Sequence, residues 1–175
     1  MKKFAGIAAS ALLFLGFAES ASAFPALSMD AAVNVSAPAG DFADDVESGI
    51  GGAFEAFAGL PAVPLKIGGR AAYNRFGHKF GDGNASIIEI QPSVRYGFGL
   101  PAGILSFFGQ FGAGIYNWKR EVKAGGFSVE DSGTDFGLSI GVGANAMSFI
   151  VMPMYNVIFD DNHTSFFSIN LGVTF

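Results

Sequence analysis

The stretch "SFFSINLGVTF", residues 165–175, decides the fold of this chain. One set of alternate positions carries only large apolar side chains: Phe167, Ile169, Leu171, Val173 and Phe175. The positions between them carry small or polar side chains. Strict alternation of this kind predicts a β-strand with one apolar face. Because chain ends usually fray, a large apolar last residue indicates an end that is held in a structure.

The same alternation recurs along the whole chain after its first segment. Eight stretches show it, each about ten residues long, which is the length of a tilted strand that crosses a membrane. They lie at 27–35, 50–58, 65–74, 88–98, 105–115, 135–145, 149–159 and 167–175.

The composition is unusual for a water-soluble protein. Half of the residues are hydrophobic, whereas only 14% are charged, against about 25% in ordinary soluble domains. No stretch after the first segment approaches the roughly 18 apolar residues that a membrane helix needs. A membrane admits only helices and closed barrels, because every backbone polar group must be paired within the protein. The sequence therefore predicts an all-β fold: an eight-stranded, antiparallel, up-and-down transmembrane β-barrel.

The charged residues within these segments follow the same alternation. All the mid-strand charges share the polar face: Asp30, Glu55, Lys66, Arg70, Glu89, Arg95 and Asp135. Arg75 and Lys119 lie on the apolar face, but at strand ends where a membrane interface would be. A lipid-facing Arg or Lys costs roughly 2–4 kcal/mol at the midplane and almost nothing at the interface. The pattern indicates lipid on the apolar face.

A soluble lipocalin-like barrel also alternates with period two, so the polar face has to separate the two alternatives. It carries mostly Gly, Ser, Ala and Asn, rather than the long charged side chains of a water-exposed wall. An eight-stranded barrel has an interior just wide enough for its own side chains. We expect Lys66, Arg70 and Arg95 to pair there with Glu55 and Glu89, so that the barrel is a plug rather than a pore.

The connections predict the orientation. Four longer polar connections, at 37–48, 77–84, 120–133 and 160–164, alternate with three short ones, at 59–64, 99–103 and 145–148. Outer-membrane barrels have long extracellular loops and short periplasmic turns, so the termini should be periplasmic. Two aromatic girdles should mark the interfaces: Phe98, Phe107, Phe149 and Phe175 on the periplasmic side, and Tyr73, Phe136, Phe159 and Phe167 on the outer side.

Two prolines interrupt the predicted strands. Pro92 and Pro153 cannot donate a ladder hydrogen bond, and proline in a sheet is normally confined to edges and bulges. Since a closed barrel has no edge, they predict bulges or strands that end early.

The first 23 residues have the layout of a cleaved secretory signal peptide. Two lysines precede an apolar run from Phe4 to Ala18, and Ala21 and Ala23 form the A-x-A site that signal peptidase recognises. An uncleaved anchor and a buried helix are the alternatives. Cleavage would leave residues 24–175 as one barrel domain, exported through the Sec pathway. It would be still more acidic than the full chain, whose net charge is −5. This charge argues against nucleic-acid binding, and the lack of cysteine excludes disulfides.

With these features, the chain resembles the small outer-membrane β-barrels of the OmpA-transmembrane-domain and OmpX-like superfamily, also described as outer membrane protein beta-barrel domains or porin-family proteins. The resemblance covers nearly all of 24–175. Its most family-like stretches are "SAPAGDFADD" at 36–45, "YNVIF" at 155–159 and "INLGVTF" at 169–175. It implies location in the outer membrane of a Gram-negative cell and, as partners, membrane lipid and lipopolysaccharide. We expect a monomer without a cofactor.

The resemblance also gives the last strand a role. In that family, a C-terminal phenylalanine preceded by apolar residues at alternate positions resembles the signal that the barrel-assembly machinery reads. Phe167, Ile169, Leu171, Val173 and Phe175 match it position by position. Because the predicted barrel uses all of 24–175, we expect no peptidoglycan-binding domain of the OmpA type.

Candidates for enzymatic or metal chemistry are weak. His163-x-Ser165 resembles the His-x-Ser pair of outer-membrane lipid A deacylases, but no acidic residue follows to orient the base. Asp160 and Asp161 precede the pair, and as neighbours in a strand they point in opposite directions. The acidic loop with Asp41, Asp44, Asp45 and Glu47 lacks the spacing of a calcium loop; at most it would hold divalent cations weakly. We therefore predict no catalytic and no metal site.

Three functions remain open. The leading one is a non-enzymatic barrel that stabilises the envelope and presents surface loops, for adhesion or host contact. The second is a narrow channel or carrier for small apolar molecules. The third, disfavoured, is a lipid A-modifying enzyme.

Overall fold

The computed structural model describes residues 27–79, 82–99, 105–124, 127–160 and 164–175. The predicted leader, including Ala21 and Ala23, lies outside the described residues, as does His163. Eight strands and one short helix occur in chain order: β1 (Leu27–Ala39), α1 (Phe42–Asp45), β2 (Val46–Gly59), β3 (Leu65–His78), β4 (Asp82–Gly99), β5 (Leu105–Ala124), β6 (Phe127–Ala146), β7 (Phe149–Ile158) and β8 (Ser165–Thr174). Every predicted strand is present.

The strands close into one antiparallel barrel. Each strand pairs with its neighbours in the chain, and β8 returns to pair with β1. This seam runs from Asp30 opposite Thr174 to Ala39 opposite Ser165. Closure leaves the barrel wall without an unpaired edge. The prediction of an eight-stranded antiparallel barrel is confirmed.

The alternation along each strand separates an apolar outside from a mostly polar inside. Val33, Ile50 and Ile140 are exposed on the outer face, each with more than 60% of its surface accessible. The eight predicted girdle residues are exposed as well. Among the described residues, no helix has the length and apolar character that crossing a membrane requires.

The prediction for the two prolines is wrong. β4 continues through Pro92 and β7 through Pro153. The register is the same on both sides of each proline, and Pro92 remains opposite Gly69 just as Pro153 remains opposite Ile169. The ladder is interrupted only on the other side, towards β5 for Pro92 and towards β6 for Pro153. A missing N–H affects one side of a strand, so the other side maintains the register.

The prediction of a long loop at 120–133 is also wrong. β5 and β6 continue as a paired hairpin as far as Ala124 opposite Phe127, so the strand bounds leave only 125–126 between them. The charged residues of this stretch are compatible with a strand because a hairpin above the barrel meets water on its outer face. We call the end of the barrel with this hairpin the loop end, and the end with the 60–64 and 147–148 connections the turn end.

Candidate functional site

The inside of the barrel holds a cluster of buried charges. Glu55 lies between two arginines: its Oε1 accepts a hydrogen bond from Arg70 Nη1 at 2.8 Å, and its Oε2 accepts one from Arg95 Nη2 at 2.5 Å. Arg70 Nε also donates to Glu89 Oε1. All four side chains are at most 3% exposed. The structure thus brings together four of the five residues that the sequence assigned to this cluster.

Two further residues complete the cluster. Asp30 Oδ2 pairs with Arg95 Nη1 at 2.6 Å, and Gln110 accepts from Arg95 Nε at 2.9 Å while donating to Glu55 at the same distance. We call Asp30, Glu55, Arg70, Glu89, Arg95 and Gln110 the lumen network. Buried charges are tolerated only when they are paired and hydrogen-bonded. Every guanidinium nitrogen of Arg70 and Arg95 donates a hydrogen bond to a described residue. Glu89 Oε2, in contrast, has no hydrogen-bond partner among the described residues.

Lys66, the fifth predicted member, makes no ion pair with the network's carboxylates among the described residues. Its Nζ donates to Ser28 Oγ at 3.1 Å, and none of the ion pairs found among the described residues includes it. It occupies the second position of β3, next to the turn end. The expectation that Lys66 pairs with Glu55 or Glu89 is wrong. The sequence gives the correct face of the strand, where Lys66 lies opposite Arg95, but not the partner that its side chain reaches.

The last strand is tied to the lumen network by its polar face. Asn170 accepts from Arg70 Nη2 at 3.0 Å, and the Thr174 hydroxyl donates to Asp30 Oδ1 at 2.7 Å. Its other face, with Phe167, Ile169, Leu171, Val173 and Phe175, is exposed on the outer wall. β8 therefore contributes to the interior and presents the apolar pattern outside.

Apolar side chains fill the lumen on both sides of the network, a feature that the polar-inside alternation does not predict. At the loop end, Phe42 of α1 packs edge-on against Phe76 at 5.2 Å between ring centroids, and Phe76 packs against Phe166 at 5.6 Å. Towards the turn end, a second cluster consists of Phe108, Ile150, Met152 and Met154. The signal was present as apolar residues on the polar face of a strand, most visibly in the pairs "FF" at 107–108 and 166–167.

Arg95 connects the network to these apolar layers. Its guanidinium carbon lies 4.2 Å from the ring centroids of both Phe57 and Phe108, so that the cation is held between two aromatic faces. Such cation–π contacts are strongest when the cation is removed from water. Arg95 is therefore held by two acids, an amide and two rings.

A recess of about 300 Å³ opens at the turn end. Its walls include Val63, Leu65, Phe107 and Phe108, with Lys66 and Arg95 among its polar lining residues. The recess extends inwards as far as Arg95, where the lumen network begins.

The β5–β6 hairpin extends the sheet at the loop end, and β4 pairs along the other side of β5 as far as Asp82 opposite Lys123. Residues 127–135 of the hairpin pair only with β5 among the described residues, because pairing of β6 with β7 begins at Gly137. Lys119 Nζ pairs with Glu130 at 2.9 Å, and this hydrogen bond and charge raise the pKa of Lys119. Trp118 Nε1 donates to Asp135 at 2.6 Å. These contacts make the hairpin an ordered sheet above the girdle.

The residues considered for chemistry are engaged elsewhere. Ser165 Oγ donates to the carbonyl of Ala39 at 3.2 Å, and Asp160 accepts from the backbone N–H and the hydroxyl of Thr164 at 2.7 Å each. The acidic residues around α1 do not form a group of three potential metal ligands within the described part of the chain.

Comparison with known proteins agrees with this architecture. The family model "Outer membrane protein beta-barrel domain" matches residues 7–175. No curated protein matches the chain.

Solved structures of bacterial surface proteins share the fold. The attachment invasion locus protein Ail of Yersinia pestis is 17% identical, with a TM-score of 0.59, over 87% of this chain and all of Ail. The N-terminal β-barrel domain of Pseudomonas aeruginosa OprF is 14% identical, with a TM-score of 0.56, over 85% of this chain and 97% of that domain. Neisserial surface protein A is 15% identical, with a TM-score of 0.56, over 87% of this chain and 98% of its own.

A barrel with an apolar outer wall, two aromatic girdles and a filled interior fits a membrane protein, and the family match covers almost the whole chain. The chain belongs to the outer membrane protein beta-barrel domain family and is an integral protein of the cell outer membrane.

Proposed function

We propose that this protein is a non-enzymatic, non-conducting barrel that stabilises the envelope and displays the β5–β6 hairpin at the cell surface for adhesion or host contact. The observation that carries the proposal is the filled lumen. The lumen network lies between two apolar layers, and the turn-end recess ends at Arg95. A polar solute would have to separate buried ion pairs, which is strongly destabilising.

The hairpin is the part of the molecule best suited to display. It extends beyond the girdle residue Phe136, and residues 127–135 offer backbone groups that no described neighbour pairs. Unpaired strand edges readily accept a further strand from a partner. Ail, which has the same fold, is named for attachment and invasion, so adhesion is the first activity to test.

Conductance in planar lipid bilayers tests the closed lumen. We expect refolded protein to give no discrete current steps. Reproducible steps would instead support the channel, and uptake of a small apolar dye into proteoliposomes would support a carrier that uses the turn-end recess.

Attachment of whole cells tests the display. Trp118 and Gly133 are directly opposite each other, so an Asn-Gly turn replacing residues 119–132 would shorten the hairpin without opening the barrel. We expect this variant to reach the outer membrane and lose attachment to host cells. Met147→Gly is the matched control, since it changes a turn-end residue whose φ of 55° suits glycine. Equal attachment of both variants would contradict the display role.

Lipid A modification is the third candidate and can be tested separately. The hydroxyl of Ser165 donates a hydrogen bond to the backbone carbonyl of Ala39 in β1, which supports a structural role for Ser165. We expect identical lipid A mass spectra from cells that lack the protein, express it, or express His163→Ala.

Two steps of biogenesis belong to the same proposal. The apolar outer face of β8, ending at Phe175, serves as the signal for the barrel-assembly machinery, and residues 1–23 are cleaved after Ala23. Phe175→Ser should reduce assembled protein in the outer membrane, while N-terminal sequencing of the purified protein should start at Phe24.

A further inference from the structure

The outer wall of the barrel carries a groove across β1, β2 and β3. Val33, Val35, Ile50, Gly51, Tyr73 and Arg75 line it, and its volume is about 480 Å³. That volume lies within the range of roughly 300–1,000 Å³ that is common for ligand pockets. We call this depression the wall groove.

A glycine on the outward face of β2 accounts for the depression in the outer wall. Gly52 shares the outward face of β2 with Ile50 and Phe54, and it lies directly between Val33 of β1 and Tyr73 of β3. A Cβ at Gly52 would meet only the Ala32 carbonyl oxygen, at an ordinary contact distance of 3.5 Å. A Cβ would therefore fit, and the lack of a side chain at Gly52 leaves a gap between Val33 and Tyr73.

Arg75 lies at the loop-end side of the wall groove. It is two positions beyond the girdle residue Tyr73 on the same outward face, opposite Ile50. Its side chain is exposed and makes no ion pair or side-chain hydrogen bond with the described residues. Glu47 is an acidic residue close to this face, since its Oε2 lies 3.4 Å from the place that a Cβ on Gly77 would occupy. It forms no ion pair with Arg75.

The other cations of the loop end are already engaged. Lys119 pairs with Glu130, and Lys79 Nζ donates to the Ala43 carbonyl at 2.5 Å. The guanidinium of Arg120 donates to Thr164 and lies 5.3 Å from the Phe42 ring centroid. Among the loop-end lysines and arginines whose side chains the structure describes, Arg75 is thus the one whose guanidinium is free for an external anion.

The position and the chemistry together identify an occupant. The apolar part of the wall groove lies within the lipid-facing wall, where hydrocarbon chains cover the protein. Arg75 lies at the interface, where lipid phosphates are found, and a guanidinium fork matches a phosphate with two parallel hydrogen bonds. If the loop end faces outward, as in the proposed function, the lipid belongs to the outer leaflet. We propose that the wall groove binds one acyl chain of lipid A, with a lipid A phosphate on Arg75.

Native mass spectrometry of the refolded protein in detergent, titrated with lipid A, tests this site. Arg75→Gln removes the charge, Gly52→Ile fills the groove, and Lys119→Gln is the matched control because it removes a loop-end cation that already has a partner. We expect one retained lipid A, bound about tenfold more weakly by Arg75→Gln, which loses charge-assisted hydrogen bonds. We expect similar weakening in Gly52→Ile and unchanged binding in Lys119→Gln.

A second set of titrations keeps the wild-type protein and changes the lipid. Dephosphorylated lipid A should bind the wild-type protein as weakly as intact lipid A binds Arg75→Gln, and phosphatidylglycerol should be retained less than lipid A. Heat-modifiable gel migration, required of every variant, shows that each barrel is folded.

Several results would overturn the proposal. Equal binding by Gly52→Ile and the wild-type protein would show that the chain does not occupy the wall groove. Equal loss in Lys119→Gln would show general charge attraction, and equal retention of phosphatidylglycerol would exclude selection of lipid A. None of these results affects the bilayer conductance or the attachment assay, so failure of this site and failure of the proposed function are distinguishable.

Discussion

Arg95 and Arg75 lie on opposite sides of the same β-sheet wall. Inside, Arg95 is 3% exposed and is held by Asp30, Glu55 and two aromatic rings. Outside, Arg75 is exposed and makes no ion pair with the described residues. A charge in the lumen has to be neutralised by protein groups. A charge on the outer wall can lie at the membrane interface, where water and lipid headgroups solvate it. The same residue type therefore stabilises the fold on one side and remains available for binding on the other.

The largest expected effect comes from removing the inner arginine. Arg95→Ala leaves the carboxylates of Asp30 and Glu55 buried without their guanidinium, which typically costs about 3–5 kcal/mol. Arg75→Ala should change the free energy of unfolding by less than about 1 kcal/mol, as surface substitutions usually do. Urea unfolding in detergent, followed by Trp118 fluorescence, measures both. An equal loss of unfolding free energy in Arg95→Ala and Arg75→Ala would contradict the distinction between the two sides of the wall.

Adjacent phenylalanines on β5 sharpen the comparison without changing charge. Phe108 is buried against Arg95, while Phe107 is exposed on the outer wall. Phe108→Ala should cost about 3–5 kcal/mol, as for other buried aromatic residues, and Phe107→Ala clearly less. The same urea titration applies, and a larger loss for Phe107→Ala would show that the inner layer contributes little.

Placing a new charge on the outer wall tests where the lipid lies. Ile140→Arg, on the exposed face of the part of β6 between the girdle residue Phe136 and the turn end, should cost about 2–4 kcal/mol in a lipid bilayer. Val129→Arg, on the same strand but in the hairpin above the girdle, should stay within about 0.5 kcal/mol of the wild-type protein. Unfolding in bilayers measures both variants. A tolerated arginine at position 140 would mean that water covers this part of the wall.

The smallest expected effect concerns the exposed pair Lys119–Glu130. The hydrogen bond from Lys119 to Glu130 raises the pKa of the lysine above its ordinary value of 10.5. The stabilisation is therefore complete below about pH 10.5 and is lost as the pH rises through the higher folded-state pKa. NMR titration of lysine side chains should show that Glu130→Gln lowers the pKa of Lys119. An unchanged pKa would show that the pair does not persist in solution.

The outer wall was more predictable from the sequence than the lumen. Which face of a strand a residue occupies follows from parity alone, so the five apolar residues of β8 and the girdle residues were placed correctly. A side chain that faces lipid has only to be apolar, and the alternation of apolar residues shows directly which side chains those are.

The interior of the barrel depends on which partner each side chain reaches, which parity does not contain. Parity places Lys66 on the same face as Arg70, and Lys66 lies opposite Arg95, yet its Nζ donates a hydrogen bond to Ser28 and not to a carboxylate of the lumen network. The apolar layers of Phe76, Phe108 and Phe166 were missed because an inward phenylalanine contradicts the simple polar-inside pattern. Both errors concern how side chains from different strands meet across the barrel.

The ties between the last strand and the interior have a consequence for biogenesis. Arg70 and Asp30, from early strands, obtain Asn170 and Thr174 as partners only when β8 arrives. Closing the seam and completing the hydrogen bonds of Arg70 and Asp30 are consequently one event, and a sheet that lacks β8 has neither. We expect a chain that stops before Asn170 to be degraded during export instead of persisting as a seven-stranded product, which pulse-chase labelling of the cell envelope would reveal.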